Sequence, residues 1–493
     1  MNSSPRKLLA AMLAALMLAL LFASCGDAKD KPNVPSDTGR AETAEGTEAG
    51  LDYTAPESAD FNGYNFRIAI RDSRNKDHYV MIPTEQNGEV INDAVFVRNS
   101  RVSESYNITI SGVVDTDNDT AGKVKTSVLA GDDYCDVALY GMRDHFPHAQ
   151  EGYLLDVNTV DSFDFDQPWW DSKILDSYRI YGQNYCFTGD LTTHDDLLIL
   201  IMLYNTKLYE NYGFENPYEM VSGGKWTFDR FWDMAKTASI DLDGDGAMTF
   251  DDQWGFLSEI TAWYYYSTGC GLMPLKSDGK GGYVYTLDDE KTYSIIEKTK
   301  VMVTNTDISY FADDGKVKIR SGDSVWDSVE GMFMDNLGLF KSGCFNDVTR
   351  YRDMQADFGI LPMPKYDEAQ DSYYDLVTHH ADACVLPITV TDPERSGLIL
   401  SALSYESMLT VNPCFYDIFL NEKLVRDEES KGMVDIILKT KVYDLDFTAQ
   451  LSSLLSITLN ISTSRTDNFA SQWAAAKDSA NANLEKFLAN FKN

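Results

Sequence analysis

An α/β fold built as two lobes is predicted from three observations. From residue 61 onward, strand-like and helical patterns alternate, as expected of a mostly parallel sheet with helices on both faces. That stretch of about 430 residues exceeds what one ordinary core supports, so two lobes are expected. Apolar residues make up 44% of the chain and aromatic residues 12%, enough for well-packed cores.

The chain opens on a targeting pattern. Arg6 and Lys7 precede an uncharged, mostly apolar run from Leu8 to Ala23, too short for a comfortable membrane span and suited to a signal peptide. It ends Leu21-Phe22-Ala23-Ser24-Cys25, similar to a lipobox with Phe22 in place of the usual Leu. This implies cleavage after residue 24 and diacylglycerol attachment to Cys25, whose two acyl chains are enough for stable anchoring. Residues 25–60, rich in Ala, Asp, Glu, Thr, Pro and Gly, read as a disordered tether.

The body then reads in order. Phe66–Ile70 is a strand, Glu89–Tyr106 a helix, Ile108–Val113 a strand, Thr120–Ala130 a helix and Asp136–Tyr140 a strand. Leu197–Tyr204 is a continuous apolar run, as in a strand buried on both faces. Phe228, Phe231, Trp232 and Ala235 share one face of a helix over about 227–239, with Thr227 as its cap. Gly331–Met334 is strand-like; Glu290–Val303, Asp392–Leu409 and Thr466–Phe491 read as helices.

Charge excludes several functions. The net charge of −35 becomes −37 once Arg6 and Lys7 are removed, which argues against nucleic acid and anionic lipid as partners. It also disfavours an anionic ligand unless a local basic site overrides the global sign. Cys135, Cys186, Cys270, Cys344, Cys384 and Cys414 are irregularly spaced with no Cys-x-x-Cys, so neither a zinc ribbon nor a thioredoxin-type site is expected, and no pairing follows from spacing.

An acidic loop follows the Thr227 helix. Asp241, Asp243, Asp245, Gly246, Thr249 and Asp252 occupy positions 1, 3, 5, 6, 9 and 12 of EF-hand spacing, and Ala247 would offer its carbonyl. Hard oxygen ligands in a curling loop suit Ca²⁺. Asp rather than Glu at the last position weakens closure, and a solvated acidic loop is the alternative.

The stretch Asn205–Phe256, with NTKLYE, GKWTFD, DLDGDG and DQWGF, resembles the family 1 extracellular solute-binding proteins of bacterial carbohydrate ABC transporters. The lipobox, EVINDAVFVRNSRVSESYNI at 89–108, DVALYGMRDHFPHAQEGYLLDV at 136–157 and DFGILPMPKYDEAQ at 357–370 agree with that family's order. The resemblance implies a periplasmic-binding-protein-like type II fold: two α/β lobes, 61–189 plus 378–420 and 190–377 plus 421–493, joined by a hinge with a ligand cleft between them. It implies capture of a carbohydrate, an oligosaccharide, for permease subunits of an ABC importer, by a monomer held outside the cell membrane through the lipid on Cys25, or in the periplasm of a Gram-negative cell.

Sugar clefts need aromatic platforms for C–H faces and polar groups for hydroxyls. Tyr140, Arg143 and Asp144 follow a strand's carboxyl end and resemble the family's cleft loop. Asp190 sits where the chain should cross lobes, Trp263 and Tyr264 lie in the densest aromatic run, and Trp169-Trp170 is a rival platform. Asn336 occupies a position that lines the cleft in the family. Other readings stay open: a receptor for a peptide or a metal, a surface glycoside hydrolase, or an adhesion lipoprotein. His145, His148, His194, His379 and His380 could bind a metal, although adjacent histidines on a strand would point apart. No Gly-x-Ser-x-Gly, His-Glu-x-x-His or phosphate loop occurs, so catalysis is not expected.

Overall fold

In the computed structural model, residues 45–48, 51–315, 318–351, 354–421, 428–466 and 468–492 are described. The leader and Cys25 lie outside them. The first two strands, β1 (Glu45–Glu48) and β2 (Leu51–Thr54), form an antiparallel hairpin. Residues 45–48 and 51–54 of the stretch expected to be a tether thus form regular structure. Tyr53 packs 5.9 Å from Tyr405, and the Thr54 amide donates to Gln167 Oε1; these contacts give the segment an apolar anchor that its composition concealed.

The first main sheet holds β3 (Tyr64–Arg71), β4 (Ile108–Asp115), β5 (Val137–Gly141) and β14 (Asp382–Val385), in the order β14-β5-β3-β4. β3, β4 and β5 run parallel, and β14 is reversed. The second sheet holds β6 (Leu200–Asn205), β7 (Trp254–Ser258), β10 (Ser309–Phe311), β11 (Gly338–Cys344) and β12 (Phe358–Leu361), in the order β10-β7-β11-β6-β12. Only β6 is reversed in it. Between β7 and β10 lies the small hairpin of β8 (Leu275–Ser277) and β9 (Tyr283–Tyr285). β6 is buried along its whole length, which is why its sequence is continuously apolar.

Local signals set the helices. Asp119 caps Thr120–Ala130, and Gly131 ends it in the left-handed conformation, the usual stop. Thr227 caps Phe228–Ala238, whose apolar face lies so close to β7 that a Cβ on Gly255 would fall 2.0 Å from the Ala235 carbonyl oxygen. Two expectations are corrected. Gly331–Met334 is the end of a helix, Val325–Met334. The run from Leu197 is divided: His194–Leu197 is one helical turn, and the strand starts at Leu200. A four-residue apolar run does not distinguish helix from strand.

Three segments lie side by side between the two main sheets. Ile199 bridges Val377, and the Thr378 amide donates to the Leu198 carbonyl. β13 (Asp375–Leu376) pairs in parallel with β15 (Lys441–Val442). One connector leads into the start of β6; another leads into the start of β14. Because β6 and β14 are the reversed strands, both sheets turn the carboxyl ends of their other strands toward these connectors. A buried ion cluster ties the segments together. Lys441 Nζ lies 2.8 Å from Asp171 and from Asp195, and 2.7 Å from Asp196. The Tyr443 hydroxyl donates to Asp171 and Asp195.

Candidate functional site

Open α/β sheets bind ligands outside the carboxyl ends of their strands. At that edge of the first sheet, β3 ends on Arg71, whose guanidinium pairs with the buried Asp382 carboxylate at the start of β14. Arg74 donates to the His380 carbonyl at 3.3 Å and lies 4.8 Å from the Tyr79 ring centre. β5 ends on Gly141, and the helix Met142–Gln150 starts beside it, held by a Met142 amide bond to the Ala381 carbonyl. Its first turn carries Arg143 and Asp144, a loose pair at 3.5 Å. His379 and His380 complete the edge. They lie in a turn rather than a strand, so their rings are 4.2 Å apart instead of on opposite faces. Burial, then the His380 and Arg143 charges, push His379 down to about 4, so it is neutral at pH 7. Arg71 Nε and His379 Nδ1 are buried without a hydrogen-bond partner among the described residues.

On the second sheet, β7 runs into Glu259-Ile260-Thr261 and β10 into Ala312-Asp313. Asp313 accepts the Ile260 amide at 2.9 Å. Burial raises both the Glu259 and Asp313 carboxyls above their usual range, which suits them to hydroxyl partners. An aromatic seam joins the two edges. Phe447 lies 4.6 Å from His379, stacks on Tyr264 at 4.9 Å and meets Tyr265 edge-on at 6.1 Å.

The sequence candidates divide. Arg143 and Asp144 stand at the strand-end edge with accessible side chains. Asp190 lies at the connector, where burial raises its carboxyl to about 8 against a hydrogen bond with Asn412. The other positions are corrections. Tyr140 is buried, its hydroxyl 3.1 Å from His148 Nδ1. Trp263 is buried and donates to Thr299 Oγ1. Tyr264 is buried and donates to Asp444 at 2.6 Å, so it backs Phe447 rather than facing outward. Asn336 precedes β11 and accepts from Asn205 Nδ2; it lies at the amino end of that strand, the edge away from the connectors. Trp169 and Trp170 are core, packed with Tyr405 and Phe187 respectively.

Sequence reasoning missed Trp326. Seven of the eight tryptophans are at most 7% exposed, whereas Trp326 is 48% exposed. It sits in the first turn of Val325–Met334. That helix links β10 to β11, which run the same way, so it travels back along the sheet and begins at the carboxyl edge. Its signal was a lone tryptophan in polar company, Ser324-Val325-Trp326-Asp327.

In the acidic loop, carboxylate oxygens of Asp241, Asp243 and Asp252 lie within 4.8 Å of one another. Asp241 accepts the Gly244 and Gly246 amides, and Asp245 accepts that of Ala247. The buried Asp252 accepts from Leu242 and Thr249. The Asp245 amide pulls the Asp243 carboxyl down, yet desolvation and the Asp245 and Asp241 carboxylates leave it above its usual value. Crowded hard oxygens fit a divalent cation, with Asp241, Asp243 and Asp252 as its nearest donors. Among the described residues, no histidine or cysteine joins a group of three convergent metal donors.

No protein-family model and no curated protein matches the chain. Solved structures do. M. tuberculosis UspC is 14% identical with a TM-score of 0.55, over 85% of this chain and all of its own. The galacto-N-biose-/lacto-N-biose I-binding protein of the ABC transporter from Bifidobacterium longum, in complex with lacto-N-biose, is 13% identical with a TM-score of 0.54, over 87% of this chain and 99% of its own. The ABC substrate-binding protein Lmo0181 from Listeria monocytogenes, in complex with cycloalternan, is 13% identical with a TM-score of 0.52 over the same shares. The chain therefore has the type II periplasmic-binding-protein fold, two α/β lobes joined at a hinge.

Proposed function

We propose that this protein is an extracellular solute receptor that captures a carbohydrate, an oligosaccharide, and presents it to the permease of an ABC importer. One observation carries the reading: both sheets turn their strand ends toward a shared set of connectors, with polar groups on each edge and an aromatic seam between them. Structural neighbours holding cycloalternan and lacto-N-biose in the same fold support a saccharide as the solute. Arg143, Asp144, Glu259 and Asp313 supply hydroxyl partners, and Trp326 supplies an apolar face at the rim. Lobes hinged at β13 and β15 close over the sugar, and a permease distinguishes closed from open.

The receptor acts by binding alone and is a monomer. Lipid on Cys25 holds it at the outer face of the membrane; no helix among the described residues is long and apolar enough to cross one. Ca²⁺ in the 241–252 loop is structural, pinning the end of the Phe228–Ala238 helix. A thermal-shift screen against mono- and oligosaccharides, peptides and metals tests the reading. A ligand at 100 times its Kd stabilises by about 2.7 kcal/mol. A shift with a saccharide that is recovered intact is expected; a shift only with peptides or transition metals, or consumption of the sugar, overturns it.

A further inference from the structure

The basic groups at the first sheet's edge point to a narrower ligand class. The chain carries 77 acidic residues against 42 Lys and Arg. Yet Arg74 makes no ion pair among the described residues; its contacts are the His380 carbonyl and the Tyr79 ring. Arg143, half exposed, holds only the loose 3.5 Å contact to its neighbour Asp144. Both guanidinium groups bear on the same turn. Arg74 bonds to His380 directly, and Arg143 follows Met142, whose amide is tied to Ala381. Two buried nitrogens without a hydrogen-bond partner among the described residues, Arg71 Nε at the end of β3 and His379 Nδ1 in the turn, stand at this same edge. Three guanidinium groups, Arg71, Arg74 and Arg143, thus stand at this edge beside two carboxylates, Asp382 and Asp144.

We propose that the saccharide taken by this cleft bears an anionic group, a uronate carboxylate or a sulfate ester, held by Arg74 and Arg143 against the His379-His380 turn. Guanidinium groups suit such oxyanions because their fixed fork donates two parallel hydrogen bonds. The hydroxyls of the same sugar face the Glu259 and Asp313 carboxyls of the other lobe. This assignment rests on the saccharide-receptor reading and names the substrate class of that site.

Calorimetric titration of the full chain tests it, using a panel of uronic-acid oligosaccharides, sulfated oligosaccharides and their neutral counterparts. The expected result is that a charged sugar binds at least about tenfold tighter than its neutral counterpart, by a margin that shrinks between about 50 mM and 300 mM salt. Which of the two charged sets binds identifies the oxyanion. Arg74→Gln should weaken the charged sugar about tenfold while changing the neutral one less than about twofold, and Arg143→Ala should weaken the charged sugar by a larger factor than the neutral one. Arg143→Lys should keep part of the preference, and melting curves confirm that each variant folds. If every saccharide that binds is neutral, or if the variants weaken charged and neutral sugars alike, the assignment is wrong while the receptor reading stands. If no saccharide of either kind binds, the receptor reading fails and this assignment falls with it.

Discussion

Replacing Asp375 by Asn should make the protein more stable at neutral and alkaline pH. Asp375 lies on β13 in the connector and is fully buried. One carboxylate oxygen accepts the Met363 amide and the other accepts the Thr440 hydroxyl, both at 2.7 Å. Burial outweighs those bonds and raises its carboxyl from 3.8 to about 7. A raised acid binds more protons in the folded than in the unfolded state between these values, so stability falls as pH rises through that window and levels off above it. The slope is about 1.4 kcal/mol per pH unit. Asn keeps both contacts, since its amide can donate to the Thr440 oxygen while that hydroxyl turns to the Ile436 carbonyl, its other acceptor. Urea midpoints for both proteins should therefore diverge by about 2–3 kcal/mol between pH 5 and pH 7.5, in favour of Asn. A difference that stays constant across this range would refute a buried, reluctantly ionised Asp375.

Other outcomes follow from the same contacts. Lys441→Met removes the cation that three carboxylates share and should cost about 3–5 kcal/mol in urea unfolding at pH 7, because buried charges are left unpaired; a loss below 1 kcal/mol on the order of a surface ion pair would contradict the cluster. Asp243→Ala together with Asp245→Ala should lower the melting temperature in calcium without abolishing sugar binding, and equal melting of the parent protein in calcium and in EDTA would show that the loop holds no ion. Trp326→Ala should leave stability within about 0.5 kcal/mol, as for an exposed site, while weakening the saccharide by about 0.5–1.5 kcal/mol; unchanged affinity would remove it from the site.

The helices and strands were legible where period and caps agreed. Asp119 and Thr227 each carry a local signal that tertiary structure did not override, and the apolar run holds as a strand from Leu200 onward. Gly331–Met334 was misread because four apolar residues fit either period; Asn336, taken from the family resemblance, lies at the amino end of β11. Aromatic density proved a sign of core: Trp263 and Tyr264 are buried, Trp263 against Thr299 and Tyr264 against Phe447. The informative tryptophan was the isolated one at 326. The connector cluster had no sequence signature, since Lys441 meets Asp195 and Asp196 across 246 and 245 positions. Likewise, Arg74 and His380 are brought together by the pairing of β14 with β5 and of β5 with β3.

Closure of the two lobes over a saccharide, about the β13–β15 connector, is the motion on which the proposed receptor function depends. Small-angle X-ray scattering of the protein with and without a saccharide that raises its melting temperature tests this most directly. A smaller radius of gyration at saturation, with the sugar recovered unaltered, is the predicted result. An unchanged radius with the sugar fully bound would contradict closure and, with it, the mechanism by which a permease would sense the loaded receptor.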